Sequence, residues 1–255
     1  MVKYNFFISL IILCVLSKNV LSQETRLKYL ELEGSMTLID GTIANSNLIR
    51  SDAPGPYSYN ISQNTYSSIF NYSFGIKHEI FSNNNKFGFL AGIRLNILNS
   101  TIGNGSGYFY VITKQTGLNT EYLKVREFSQ NSFYLGIPLE IQFLPFHTPK
   151  FKMYGKLGGE VNILVRNNNE VAFYDVTMNA FKNEVNFYFI NPHTFYTVFY
   201  LGSGIRLGRL TKPGVSFEWF VPFYISNSKT FGLINPNGGG GFRINFQLPY
   251  QSNKK

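Results

Sequence analysis

Apolar and polar residues alternate along most of this chain, and the clearest example is segment 133–143, FYLGIPLEIQF. Every second residue of this segment is apolar, whereas Gly136, Pro138 and Glu140 lie between the apolar positions. Alternation with a period of two residues predicts a β-strand with two different faces. Eight segments show this pattern and helical spacing is scarce, so the sequence predicts an all-β fold. The predicted strands are 29–39, 65–81, 86–99, 131–144, 151–166, 194–209, 214–226 and 238–249.

The connections between the predicted strands alternate between long and short. The short ones are 82–85, 145–150 and 211–213, and longer segments lie between them. Antiparallel strands that cross a bilayer have this order, with short periplasmic turns and longer extracellular loops. The predicted strands are also long enough to cross a membrane, which takes about 9–11 residues. We therefore predict a closed antiparallel transmembrane β-barrel of eight strands.

The two long middle loops contain further short alternating pieces, at 108–113, 121–128, 170–176 and 185–190. Each piece is too short to cross a bilayer. We predict that they form hairpins that continue the barrel strands above the membrane. A barrel of ten or twelve strands is the alternative interpretation.

The charged residues of the predicted strands lie on the face opposite the apolar one. In a water-soluble barrel, about three dozen apolar side chains would have to fill an interior that holds only small inward side chains. We therefore predict that the apolar face contacts lipid and that the charges form a structural network in the lumen, with glycines leaving room for the long side chains. This predicted network consists of Glu31, Glu33, Lys77, Glu79, Arg94, Glu140, Lys156, Glu160, Arg206, Glu218 and Arg243.

Two prolines lie in the middle of predicted strands, at Pro138 and Pro222. Proline has no N–H to donate to a neighbouring strand, so it is unusual where both edges are paired. We predict a β-bulge at each position.

The N-terminus predicts export. Residues 1–22 combine an early lysine, a short apolar run and a small residue, Ser22, before Gln23, as secretory signal peptides do. We predict cleavage between Ser22 and Gln23, leaving 23–255 as one outer-membrane barrel domain. An N-terminal anchor helix is the alternative. Cleavage would also remove Cys14, the single cysteine of the chain, and with it any disulfide.

The chain is basic, with a formal net charge of +9, and loss of Lys3 and Lys18 with the signal peptide would leave +7. Basic runs are lacking and the protein is predicted to be exported, so nucleic acid is not an expected partner. The surplus charge instead suggests contact with outer-membrane lipids and the phosphates of lipopolysaccharide.

Five segments resemble the PorT-like outer-membrane β-barrel family. In that family one strand typically reads YLxIPL, the next carries a GG pair, and the last ends in GxxxxF. The resemblance implies an eight-stranded barrel in a Gram-negative outer membrane, inserted by the barrel-assembly machinery. Some members of the family serve secretion machinery. The terminal aromatic that assembly factors recognise would here be internal, because 249–255 follow the last predicted strand. The matching segments are YLGIPLEIQF (134–143), YGKLGGEVNILV (154–165), YLGSGIRLGRL (200–210), GVSFEWFVPFYISN (214–227) and GGGFRINFQL (239–248).

Catalytic, metal and cofactor sites are not predicted. His78, His147 and His193 are far apart and have no metal-binding spacing, and the pattern GxSxG does not occur. The predicted function is non-enzymatic, with loops rich in Asn, Ser and Tyr binding a protein partner or serving assembly or secretion. One alternative is a lipid-modifying enzyme that uses His193 at the outer rim. The other is a small passive pore, which a side-chain-filled interior disfavours.

Overall fold

The computed structural model describes residues 27–44, 46, 49–50, 65–82, 84–105, 107–116, 119–148, 150–225 and 231–250. The predicted signal peptide and its cleavage site lie outside these residues. Within the described ranges, no helix is both long and apolar enough to cross a membrane. The strands are β1 (Lys28–Ile43), β2 (Ile49–Arg50), β3 (Thr65–Phe81), β4 (Phe87–Asn104), β5 (Phe109–Thr116), β6 (Asn119–His147), β7 (Phe151–Phe173), β8 (Phe195–Leu207), β9 (Gly214–Ile225) and β10 (Ile234–Tyr250).

The strands form one antiparallel sheet whose hydrogen-bonded pairs run in a ring. Its order is β6–β4–β3–β1–β10–β9–β8–β7, and β7 pairs back onto β6, so the hydrogen-bonded strands make a ring. β5 pairs with the start of β6, and the short β2 pairs with β5. The predicted all-β antiparallel fold is confirmed. We call the two ends of the ring the turn-side end, where the short connections lie, and the loop-side end.

Five strands of the ring, β1, β4, β6, β7 and β10, are longer than predicted, and β6 and β7 exceed their predicted bounds the most. β6 begins at Asn119 and includes the predicted piece 121–128, and β7 continues to Phe173, which includes most of 170–176. These two strands stay paired beyond the ring up to Val125 and Phe173. The predicted continuation of ring strands is confirmed for β6 and β7, and the hairpin predicted in the first of these loops is confirmed by the pairing of β5 with the start of β6.

The predicted strand at 185–190 is wrong. A 3-10 helix covers Val176–Tyr188 instead. Asp175 explains where this helix begins, because its carboxylate accepts hydrogen bonds from the N–H of Thr177 (2.9 Å) and from the Thr177 hydroxyl (2.8 Å). An aspartate in this position satisfies N–H groups that the first helical turn leaves unpaired.

The predicted bulges at the two prolines are also wrong. Pro138 pairs with Glu160 of β7 without a register shift, and the β4–β6 pairing simply omits the residues opposite it. Pro222 pairs in register with Tyr200 of β8 and lies beyond Phe220, where the β9–β10 pairing ends. In both places a neighbouring ladder is interrupted, so the missing N–H costs little.

Apolar side chains cover the outside of the ring, and two apolar clusters close its interior. On the outside, Phe74 is 60% exposed, Ile93 58% and Trp219 66%. At the loop-side end, a large buried cluster includes residues of the strand ends and of the connections. At the turn-side end, Tyr29 and Phe81 belong to a smaller cluster. The layer between these clusters is polar.

Candidate functional site

The predicted charged residues all lie inside the ring. Each of the eleven is at most 6% exposed. Every strand of the ring supplies at least one of them, because inward positions recur at every second residue. The interior is therefore a buried ionic layer to which all parts of the sheet contribute.

Glu140 of β6 is the centre of this layer. Its carboxylate meets cations from β3, β4, β7 and β10, and it also accepts a hydrogen bond from the Tyr200 hydroxyl at 2.6 Å. Four cations around one carboxylate join strands that are distant along the chain. The contacts are Lys77 Nζ (2.8 Å), Lys156 Nζ (3.1 Å), Arg94 Nη2 (3.2 Å) and Arg243 Nη1 (3.2 Å).

The other carboxylates of the layer share the same four cations. The result is one connected group of five glutamates and four cations, in which every charge has an opposite neighbour. Such pairing offsets the large cost of removing ions from water. The further contacts are Lys77 with Glu31 and Glu33 (2.8 Å each), Lys156 with Glu218 (2.6 Å), Arg243 with Glu218 (2.8 Å), and Arg94 with Glu33 and Glu160.

The remaining two predicted residues form a separate pair nearer the turn-side end. Arg206 Nη1 lies 3.2 Å from Glu79 Oε2. The Arg206 guanidinium lies over the ring of Tyr29, 4.2 Å from its centroid. The Tyr29 hydroxyl in turn donates a hydrogen bond to the carbonyl of Leu210. This pair and its aromatic neighbours close the turn-side end.

Neutral polar residues complete the network, and sequence reasoning missed them. Asn96 donates to Glu160 at 2.6 Å, and Gln247 donates to Glu31 at 3.1 Å. Both residues occupy inward positions of strands whose charged residues were predicted. The same period-two pattern could have identified them, had uncharged polar residues been included.

Glycines make room for the long charged side chains. A Cβ atom added at Gly136 would overlap the Glu160 carboxylate, and one added at Gly75 would overlap that of Glu33. The interior is thus filled to the point where only a hydrogen atom fits at these positions.

A small cavity lies between the ionic layer and the loop-side apolar cluster. Its volume is about 20 Å³, and Thr37, Asn96, Tyr200 and Arg243 are among the residues that line it. A space of this size holds about one water molecule. This cavity therefore has no room for an organic ligand.

The histidines lie apart from this layer and from one another. The imidazole of His193 is exposed at the loop-side end, and its backbone carbonyl accepts a hydrogen bond from Tyr134 at 3.3 Å. His78 lies toward the turn-side end, where its ring contacts that of Tyr250 with centroids 5.5 Å apart. His147 is the last residue of β6. In the part of the chain that the structure describes, no three His, Cys, Asp or Glu residues are placed to hold a metal ion.

No family model matches this chain, and a search of curated proteins finds no match. Among solved structures, it is similar to the outer membrane protein OprG from Pseudomonas aeruginosa, with a TM-score of 0.42 and 13% identity, covering 89% of this chain and 98% of that one. It is also similar to Ail, the attachment invasion locus protein of Yersinia pestis, with a TM-score of 0.37, 9% identity and coverage of 89% and 100%. A third similar structure is the outer membrane protease OmpT from Escherichia coli, with a TM-score of 0.30, 11% identity and coverage of 89% of this chain and 96% of that one.

Proposed function

We propose that the chain is an integral outer-membrane protein whose strand ring is a closed eight-stranded transmembrane barrel. The observation that carries this proposal is the inverted distribution of side chains. Phe74, Ile93 and Trp219 are each more than half exposed on the outside, whereas charged residues such as Glu31 and Lys77 are fully buried inside. Water-soluble proteins bury large apolar side chains and leave charges outside, so this surface fits a hydrocarbon environment.

The backbone supports the same proposal. A closed sheet leaves no row of unpaired N–H and C=O groups at an edge, which is a requirement within hydrocarbon. The long connections all lie at one end of the ring and the short turns at the other, as in barrels inserted from the periplasm. The proposal therefore includes export with cleavage of 1–22, insertion by the barrel-assembly machinery, contact with lipid and lipopolysaccharide, and membership in the PorT-like family.

The mature chain is expected to require detergent or lipid to fold. In detergent micelles it should show the far-UV circular dichroism of a β-sheet and migrate differently on a gel before and after boiling. In buffer without detergent it should aggregate, because the outward apolar side chains would then face water. A chain that is folded and monodisperse in plain buffer would show that the proposal is wrong.

The proposed role is binding at the loop-side end, without catalysis. The filled interior disfavours the small-pore alternative, because the ionic layer and both apolar clusters occupy the ring. The proposal assigns no catalytic role to His193. A place in secretion machinery belongs to it only through the family resemblance.

The free edge of β7 is where we place the protein partner. The pairing of β7 with β8 ends at Ile163, whereas β7 continues to Phe173 and pairs there with β6 alone among the described residues. Val165 is 67% exposed on this segment, and Arg166 is also exposed. An unpaired strand edge accepts an extended segment of another protein through main-chain hydrogen bonds.

Proline substitutions test this edge. Neighbouring N–H groups of a strand point to opposite edges, so Asn167→Pro and Asn168→Pro remove an N–H from different edges of β7. We expect the variant that removes an N–H from the unpaired edge to abolish recovery of the partner in a pull-down from intact cells. The same variant should leave the gel shift on boiling unchanged. Lys182→Gln, on the 3-10 helix, is the control. Full partner recovery with both proline variants would contradict the assignment.

A further inference from the structure

The sheet beyond the loop-side end has one face that is fixed to the ring. This small sheet consists of β5, the start of β6 and the end of β7. One face packs entirely into the loop-side apolar cluster. The buried residues of this face are Phe109, Val111, Leu123, Val125 and Phe173. Because strand side chains alternate between faces, the residues between them must point away from the ring.

The opposite face gathers three tyrosines around one lysine, with a fourth, Tyr122, beside Tyr110. We call Tyr108, Tyr110, Tyr122, Tyr174 and Lys124 the Tyr–Lys face. The rings of Tyr108 and Tyr174 meet edge to face with centroids 4.9 Å apart, and those of Tyr108 and Tyr110 are 5.6 Å apart. The Lys124 ammonium lies 4.9 Å from the Tyr108 centroid and 5.8 Å from those of Tyr110 and Tyr174.

Part of this face is open to the outside: Tyr108, Tyr122 and Lys124 are partly exposed, whereas Tyr110 is buried. Tyr174 is 58% exposed. Among the ion pairs of the described residues, none involves Lys124. The charge of Lys124 is therefore available to an anionic ligand.

We propose that the Tyr–Lys face is a binding site for an acidic saccharide. The C–H face of a sugar ring would stack on the exposed ring of Tyr174, and a carboxylate or phosphate of the same saccharide would pair with the Lys124 ammonium. The tyrosines also surround the ammonium with ring faces, which holds it in place before the ligand arrives.

The height of the face on the barrel identifies the source of the saccharide, and this step rests on the proposed membrane location. The outward apolar residues of β6 begin at Phe133. Lys124 lies nine residues before Phe133, away from the ring, which is about 30 Å of strand length. Tyrosines that anchor a barrel in the membrane interface lie at the edge of the apolar band. The Tyr–Lys face lies too far beyond that edge to have this anchoring role. At the level of Lys124 the barrel is surrounded by the sugars of the outer leaflet. The expected ligand is therefore the acidic sugar region of lipopolysaccharide.

The test uses the mature chain folded in detergent and isothermal titration calorimetry. The probes are the deacylated oligosaccharide of lipopolysaccharide, tetragalacturonate as a free acidic saccharide, and maltotetraose as a neutral one. We expect the two acidic probes to bind and maltotetraose to bind at least about fivefold more weakly. Tyr174→Ala and Lys124→Gln should each weaken acidic binding by about fivefold, and Lys124→Gln should also abolish the preference for acid.

A matched variant separates this site from a general effect of charge. Lys182→Gln removes the same charge from an exposed position on the 3-10 helix and should leave binding within about twofold. All variants should keep the gel shift on boiling. Equal binding by wild type, Tyr174→Ala and Lys124→Gln, or equal binding of neutral and acidic probes, would overturn the inference while leaving the barrel proposal intact. Folding in plain buffer would instead overturn the barrel proposal.

Discussion

Replacing Glu140 with Gln is expected to destabilise the folded protein by about 3–5 kcal/mol. The substitution keeps the size of the side chain but removes its charge. Lys77, Arg94, Lys156 and Arg243 would then share four glutamates instead of five, and the charge-assisted hydrogen bonds at the centre of the layer would be lost. Urea unfolding in detergent micelles or lipid vesicles, followed by the gel shift on boiling, measures this change.

Glu170→Gln is the control for the loss of one carboxylate. Glu170 is exposed and accepts a hydrogen bond from Asn168 at 2.9 Å. An exposed carboxylate contributes little to stability, so we expect a change of less than about 0.5 kcal/mol. If Glu140→Gln and Glu170→Gln have the same small effect, the buried layer is not what holds the ring together.

Replacing Ile93 with Arg is expected to destabilise the protein in a lipid bilayer by about 2–4 kcal/mol. Ile93 is 58% exposed and lies in the middle of the outward face of β4. In water, an arginine at an exposed strand position would be close to neutral. The sign and size of the effect therefore report directly whether this face contacts hydrocarbon. Reversible urea unfolding in phospholipid vesicles is the measurement.

Ile93→Leu keeps the apolar character and should stay within about 1.5 kcal/mol of wild type. Arg166 is an arginine that is already exposed on β7. Unchanged or increased stability of Ile93→Arg in vesicles would be incompatible with a membrane-spanning β4.

The strands of the ring were predictable because their pattern is local. Each inward and outward assignment depends only on a period of two along a single strand, and Phe74, Ile93 and Trp219 face outward as that pattern requires. The 3-10 helix was not predictable by the same means. Its segment also alternates at 185–190, but the capping of Thr177 by Asp175 starts a helix before that alternation can form a strand.

The two prolines show that strand pairing, and not sequence, decides how much a proline destabilises a strand. Pro138 and Pro222 were expected to need bulges because both edges of a ring strand were assumed to be paired. The structure interrupts the neighbouring ladder at each position instead. Where a ladder stops is a property of two strands together and has no signal in either one.

The sequence by itself determined that the chain forms long alternating strands, which face of each strand is charged, and that long and short connections alternate. Only the tertiary structure decided which charges meet. Glu140 takes its partners from four different strands, and their distances along the chain carry no information about contact inside the ring. Likewise, the apolar clusters that close both ends and the tyrosines that gather around Lys124 come from segments that only folding brings together. Local periodicity fixes the direction of a side chain, whereas strand register and closure fix its neighbours.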